Sequence, residues 1–170
     1  MYKNKKIGLV IPCYKVSGII NDVIKKIPNF IDKIYLVDDN CPENSVKKVK
    51  SKSKKIKKIY RSVNGGVGAA VKDGYKFSLI DGNYITIRID GDDQMDLKII
   101  KNFIDPIINN KAEFIKGNRF MNLIFLKKMP LLRIIGNIFF SLIGNLVTKN
   151  FNFFDILNGY TSISNKALRK

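Results

Sequence analysis

The chain has 170 residues, carries 31 Lys and Arg against 14 Asp and Glu, and has a formal charge of +17 without a single histidine. A hydrophobic content of 45% is that of a globular domain able to bury a core, which excludes a disordered chain. The lack of histidine excludes Cys/His zinc sites and Ser-His-Asp or Cys-His catalysis, while the basic balance suits nucleic acid, anionic head groups or anionic small molecules without choosing among them.

The N-terminal "MYKNKKIGLVIPCYK" starts with lysines, and its apolar run stops at Pro12. That run is too short for a signal-peptide core, so a cytoplasmic location is expected. It predicts a buried strand closed by a loop. Residues 17–27, "SGIINDVIKKI", place Ile19, Ile20, Val23, Ile24 and Ile27 at helical spacing. "KIYLVDDN" (33–40) predicts a second buried strand ending in Asp38 and Asp39. "PENSVKKVKSKSKK" reads as a polar, basic helix or helix plus loop, and "KIYRSVN" (58–64) as a third strand. "NGGVGAAVKDGY" is a glycine-rich turn opening a helix to about Leu79. "NYITIRID" (83–90) predicts a strand, 97–109 a helix, and "AEFIKGN" (112–118) a further strand. Cys13 and Cys41 sit at strand ends outside any CxxC and read as reduced structural thiols.

Alternating strands and helices are the signature of an α/β domain with a mainly parallel sheet flanked by helices. In such sheets ligands bind beyond the C-terminal ends of the strands. The chemically suggestive residues fall there: Pro12–Tyr14, Asp38–Asp39, Asn64–Gly68 and Asp90–Gln94. A single domain over 1–170 is expected. Its most apolar part, residues 123–148, is interrupted by Lys127, Lys128, Arg133, Asn137 and Asn145. That pattern fits a packed helix or an interfacial amphipathic helix better than a membrane span.

Asp90, Asp92, Asp93 and Asp96 crowd into seven positions of a basic chain. Alternate side chains in extended or tightly turned backbone point the same way, so Asp90, Asp92 and Gln94 could offer oxygens to one hard cation. A solvated acidic turn is the competing reading, and Asp96 suits a helix N-cap. Asp38 and Asp39 could accept hydrogen bonds from a base N–H or ribose hydroxyls, or form an Asx turn. Asn64, Gly66 and Gly68 belong to a loop that would let backbone approach a phosphate, or merely pack. Neither a Walker loop nor a full G-x-G-x-x-G is present. Arg119, in "KGNRF", suits a diphosphate, or equally a surface salt bridge. Asp155, in "FDILNGY", reads as a structural carboxylate or as one of few candidates for a general base. The basic run 47–61 raises nucleic-acid binding, but no RNA-binding aromatic platform accompanies it.

Taken in order, "IGLVIPCYKVSGI", "IYLVDDNCPENS", "NGGVGAAVKDGY", "RIDGDDQMD", "KGNRF", "MPLLRIIGN" and "DILNGYTSISNKAL" resemble the successive blocks of family 2 glycosyltransferases. The most similar branch is the dolichyl- or polyprenyl-phosphate sugar synthase-like group. The resemblance implies a Rossmann-like GT-A fold, Mg²⁺ or Mn²⁺, a UDP- or GDP-sugar donor and an inverting transfer to a lipid phosphate or glycan. It implies that Pro12, Tyr14, Asp38 and Asp39 contact the nucleotide and that Asp90, Asp92 and Gln94 hold the metal. It matches Arg119 to a diphosphate contact, Arg133 to the lipid-phosphate site and Asp155 to the base or acceptor-positioning carboxylate. A peripheral position on the inner membrane face is expected from the basic, apolar 123–148 segment. Lys15 and Val16 replace the Asn and Glu usual after the first Tyr, Asp93 stands where Gly or Leu is common, and Leu97 replaces a common Pro. The chain stops soon after "NGYTSIS", so an incomplete C-terminal part is expected. An inactive nucleotide-sugar-binding module is the alternative function.

Overall fold

The computed structural model describes residues 1–118, 131–149, 155 and 157–170. Two compact units divide the chain, residues 1–115 with 160–170 and residues 116–159.

In the larger unit, short runs rich in branched apolar residues build β1 (Ile7–Cys13) and β2 (Lys33–Asp38), and an alternating segment with Ile85 and Ile87 buried builds β4 (Ile85–Arg88). Such runs suit strands covered on both faces, as parallel sheets require. With β3 (Ile56–Tyr60), β5 (Phe114–Lys116) and β6 (Thr161–Ser164), the sheet has the order β3-β2-β1-β4-β6-β5. β1 runs parallel to β2 and β4, β2 parallel to β3, and β6 antiparallel to β4.

The period of two along β1 distributes its side chains to two layers. Ile7, Leu9 and Ile11 join a core with Ile20 and Val23 of α1 (Ile20–Lys26) and Ile104 and Ile107 of α3 (Ile100–Ile108). Val10 meets Tyr35, Val37 and Ala70 on the other face, where α2 (Gly66–Ile80) lies. A Cβ at Gly74 would run into the Val10 side chain, so glycine sets how closely α2 approaches the sheet. The unit ends in α5 (Asn165–Leu168), capped by Ser164 Oγ accepting from the Ala167 N–H at 3.1 Å.

In the smaller unit, α4 (Leu131–Thr148) buries Asn137, Ser141 and Asn145, spaced by four along one stripe. Ile135, Ile138, Phe139, Phe140, Leu142 and Leu146 are exposed. None of the described helices is long and apolar enough to cross a membrane.

The α/β expectation and most element positions hold, with local corrections. Residues 42–55 do not form a helix; they are turns and irregular chain with Ser45, Val46 and Val49 buried. Asp38 carboxylate oxygens take the N–H groups of Cys41 (2.7 Å) and Val46 (3.4 Å), which offers this backbone an alternative to a helical ladder. The third strand begins at Ile56 and ends at Tyr60, leaving Arg61–Asn64 beyond it. The helix expected over 97–109 starts as a 3₁₀ turn, Leu97–Ile99, with Asp96 Oδ1 accepting from the Lys98 N–H at 2.9 Å. β6 has no counterpart in the sequence reading: four residues, "TSIS", give too short a pattern, and only pairing with β4 makes them a strand.

Candidate active site

Parallel pairing brings the C-terminal ends of β1 and β2 into register at Cys13 and Asp38, with β4 on the other side of β1. A cleft of about 510 Å³ opens beyond these ends. Pro12, Tyr14, Asp39, Asn64, Gly66, Asp90 and Asp92 all line it. Cys13, Val67 and Gly91, inside the stretches expected to border a ligand, line it as well, as do Val16 and Ala70, apolar or small residues with no chemical signal of their own.

The first wall is the loop after β1. The Lys15 N–H donates to Cys41 Sγ at 3.1 Å and the Val16 N–H to Ser45 Oγ at 3.0 Å. These bonds tie the loop to the segment after β2, with Lys15 in the left-handed region at φ 55°. Backbone bonds at Lys15 and Val16, together with the packing of the Val16 side chain on the core, fix this wall. Cys13 and Cys41 are buried free thiols, and burial pushes the Cys13 thiol well above its usual pKa.

The two aspartates after β2 have different partners. Asp38 holds the Cys41 and Val46 N–H groups and stands outside the cleft lining. Asp39 lines the cleft, is 3% exposed and accepts at Oδ1 from the Gly65 N–H (3.0 Å) and the Arg61 guanidinium. Arg61 was not selected from the sequence; it lies inside a basic run where one cation does not stand out.

The glycine-rich turn supplies the second wall. Gly66 adopts φ 79°, and Asn64 Oδ1 accepts its N–H at 3.2 Å. No acidic residue occupies the first turn of α2, so the positive end of this helix, at Gly66, Val67 and Ala70, borders the cleft. Gly68 is outside the lining.

The acidic turn closes the third side. Asp90 Oδ1 accepts from Arg88 Nη2 at 2.9 Å, and Asp92 Oδ1 from the Gln94 N–H at 3.2 Å. Gln94 is exposed and outside the lining. Asp93 adopts φ 63° and pairs with Lys26 of α1 at 2.5 Å. Among the described residues no three Asp, Glu, Cys or His side chains form a closed metal cage. Asp90 and Asp92 are two hard carboxylates on an open cleft, and this fits an ion that completes its shell with phosphate oxygens and water.

In the smaller unit, Asp155 is buried and Asp155 Oδ1 accepts from Asn137 Nδ2 at 2.8 Å. Arg119 lies outside the described residues. Arg133 falls in the first turn of α4, and its side chain is outside the described part.

Comparison with known proteins gives a consistent likeness. The profile of glycosyl transferase family 2 matches residues 9–170. A UDP-N-acetylglucosamine–dolichyl-phosphate N-acetylglucosaminyltransferase of Methanococcus voltae is 30% identical over 182 aligned residues, covering 98% of this chain and 72% of that protein. An uncharacterised protein of Methanocaldococcus jannaschii is 26% identical over 97% of this chain and 67% of its own length. Among solved structures, glucosyl-3-phosphoglycerate synthase of Mycobacterium tuberculosis, in complex with Mn²⁺, UDP and glucosyl-3-phosphoglycerate, superposes with a TM-score of 0.71 at 14% identity. The match covers 96% of this chain and 58% of that one, so the chain spans little more than half of this neighbour. At that identity the likeness concerns the fold.

Proposed function

The chain belongs to glycosyl transferase family 2, with a GT-A fold, and on that premise we propose that it moves a sugar from a UDP-sugar to a polyprenyl-phosphate acceptor with the help of Mg²⁺ or Mn²⁺. The observation that carries this reading is the cleft in which Asp39, Asp90, Asp92 and the N-terminal end of α2 meet beyond the parallel strands. The relatives supply the substrate classes: UDP-N-acetylglucosamine and dolichyl phosphate for the archaeal transferase, UDP and Mn²⁺ for the mycobacterial structure.

Each residue has a distinct task in this reading. Asp39 accepts the N–H of the base. Tyr14 and Pro12 border the nucleoside. The glycine turn at Asn64–Gly66 lets the ligand approach backbone, and the positive end of α2 favours its negative charge. Asp92, with Asp90, holds the divalent cation, and Gln94 is a further oxygen donor on the same turn. When bound, the cation offsets charge that builds on the departing diphosphate. Arg119 is assigned to the diphosphate and Arg133 to the acceptor phosphate by family resemblance. A lipid phosphate is already ionised and attacks without a base. A sugar hydroxyl would need one, and the resemblance gives Asp155 that role. The apolar surface of α4 in a chain of charge +17 suits an anionic membrane surface on the cytoplasmic side, where a lipid acceptor resides.

A second reading, nucleotide-sugar binding without turnover, is favoured by the Arg88–Asp90 pair, which engages one of the two carboxylates internally. A single screen separates the two. Hydrolysis and transfer of UDP- and GDP-sugars are measured with Mn²⁺, with and without polyprenyl phosphate. Transfer from a UDP-sugar, lost in Asp90→Ala/Asp92→Ala, is the expected result. Binding without transfer supports the second reading, and metal-independent binding unaffected by the double variant overturns the first.

A further inference from the structure

Asp39 is held from behind by a residue outside the cleft lining. Arg61 follows β3, and its N–H donates to the Asp38 carbonyl at 3.0 Å. Its guanidinium joins two carboxylates: Nη1 donates to Asp39 Oδ1, and Nε donates to Asp73 Oδ2 of α2 at 2.9 Å. The Gly65 N–H reaches the same Asp39 Oδ1. A Cβ at Gly65 would lie 2.5 Å from Arg61 Nη1 and 2.9 Å from Nη2, so the missing side chain leaves the space that the guanidinium fills. Asp73 is further fixed by Lys76 at 3.2 Å. Arg61, a planar fork of fixed donors, thus ties the end of β2 to the first turns of α2.

Both hydrogen bonds to Asp39 fall on Oδ1, which leaves Oδ2 to meet a ligand. An ionised carboxylate only accepts hydrogen bonds. A uracil ring offers an N–H between two carbonyls, whereas cytosine presents a lone pair at that position and meets the carboxylate with repulsion. We infer that Arg61, anchored by Asp73, is a positioning residue that fixes Asp39 as an acceptor for the imide N–H of a uracil-type base and so sets base selectivity. This rests on the UDP-sugar reading above. Without Arg61 the carboxyl group turns about its Cβ–Cγ bond, and the discrimination goes with it.

The test is titration calorimetry with UDP and with CDP at constant Mg²⁺. The wild type is expected to prefer UDP by about tenfold or more, the worth of one hydrogen bond to a charged group. Arg61→Met and Asp73→Asn are expected to bring the two affinities within about threefold of each other, chiefly through loss of UDP affinity. Arg61→Lys, which keeps charge but loses the fork, recovers part of the preference. Asp92→Ala weakens both nucleotides alike and keeps the ratio, a pattern that a general loss of structure would not give. Asp73→Asn leaves the cleft lining untouched and decides the matter should Arg61→Met fail to fold. An unchanged ratio in folded Asp73→Asn overturns the inference, as does a wild type that binds UDP and CDP equally; the transferase reading survives both. A wild type that binds neither nucleotide overturns that reading and this inference together.

Discussion

Asp38 and Asp39 are adjacent in sequence and indistinguishable by type, yet they make opposite demands on a mutagenesis experiment. Asp38 satisfies two buried N–H groups of its own loop, so its loss leaves Cys41 N and Val46 N without acceptors. Asp38→Ala is expected to cost about 1–3 kcal/mol of stability, read as a lower denaturant midpoint, and to affect nucleotide binding only through that loop. Asp39→Asn keeps the shape of the cleft wall while removing the charge proposed to accept the base N–H. It is expected to weaken UDP binding about tenfold or more by calorimetry while the variant remains folded. Asp93, the one carboxylate of the acidic turn with no expected role, has a structural one. Its left-handed backbone turns the chain between Asp92 and Gln94, and its side chain pairs with Lys26. Asp tolerates that conformation better than most residues. The pair is largely exposed, so it contributes little to stability.

Each wall of the cleft is a strand end or helix start whose position follows from the layer beneath it. α2 presents its N-terminal turn because Gly74 lets it lie close on Val10, and because Asn64 and Gly66 form the tight entry. α4 is built differently. Its polar stripe of Asn137, Ser141 and Asn145 is buried, while Phe139, Phe140 and their apolar neighbours are exposed, an inversion of the usual amphipathic pattern. The interfacial role proposed for this helix accounts for that inversion. Phe139→Ser/Phe140→Ser is expected to reduce the partition coefficient onto anionic phospholipid vesicles, read by co-sedimentation, by about a hundredfold or more, since each buried aromatic ring contributes roughly 1.5–3 kcal/mol. Asp92→Ala is expected to leave it unchanged. Equal binding by the wild type and the double serine variant would remove the membrane assignment from α4.

For the chain as a whole, the excess of lysine makes carboxylates the scarce partner. The hydrogen bond from Lys3 holds the Asp105 carboxyl below its usual pKa, and the hydrogen bonds from Lys166 and Lys170 do the same for Glu113. A depressed folded-state pKa gives stability that is present above the unfolded value, near 4, and lost as pH falls through the folded one. Protonation also raises a net charge that is already +17. Melting temperature is therefore expected to hold between pH 7 and 5 and to fall below about pH 4. Asp105→Asn/Glu113→Gln is expected to show a shallower fall across the same range. The sequence alone determined the α/β order, the strand ends on which the candidate site is built, and the family. These are written in local signals: apolar runs of strand length, glycine-rich turns and carboxylates directly after the runs. Only the tertiary structure decided which of two neighbouring aspartates borders the cleft, that Arg61 braces one of them through Asp73, that Arg88 pairs with Asp90, and that "TSIS" is a strand. Those outcomes depend on partners distant in the chain, and a carboxylate or guanidinium carries no mark in sequence of the group it will meet once the sheet brings the two together.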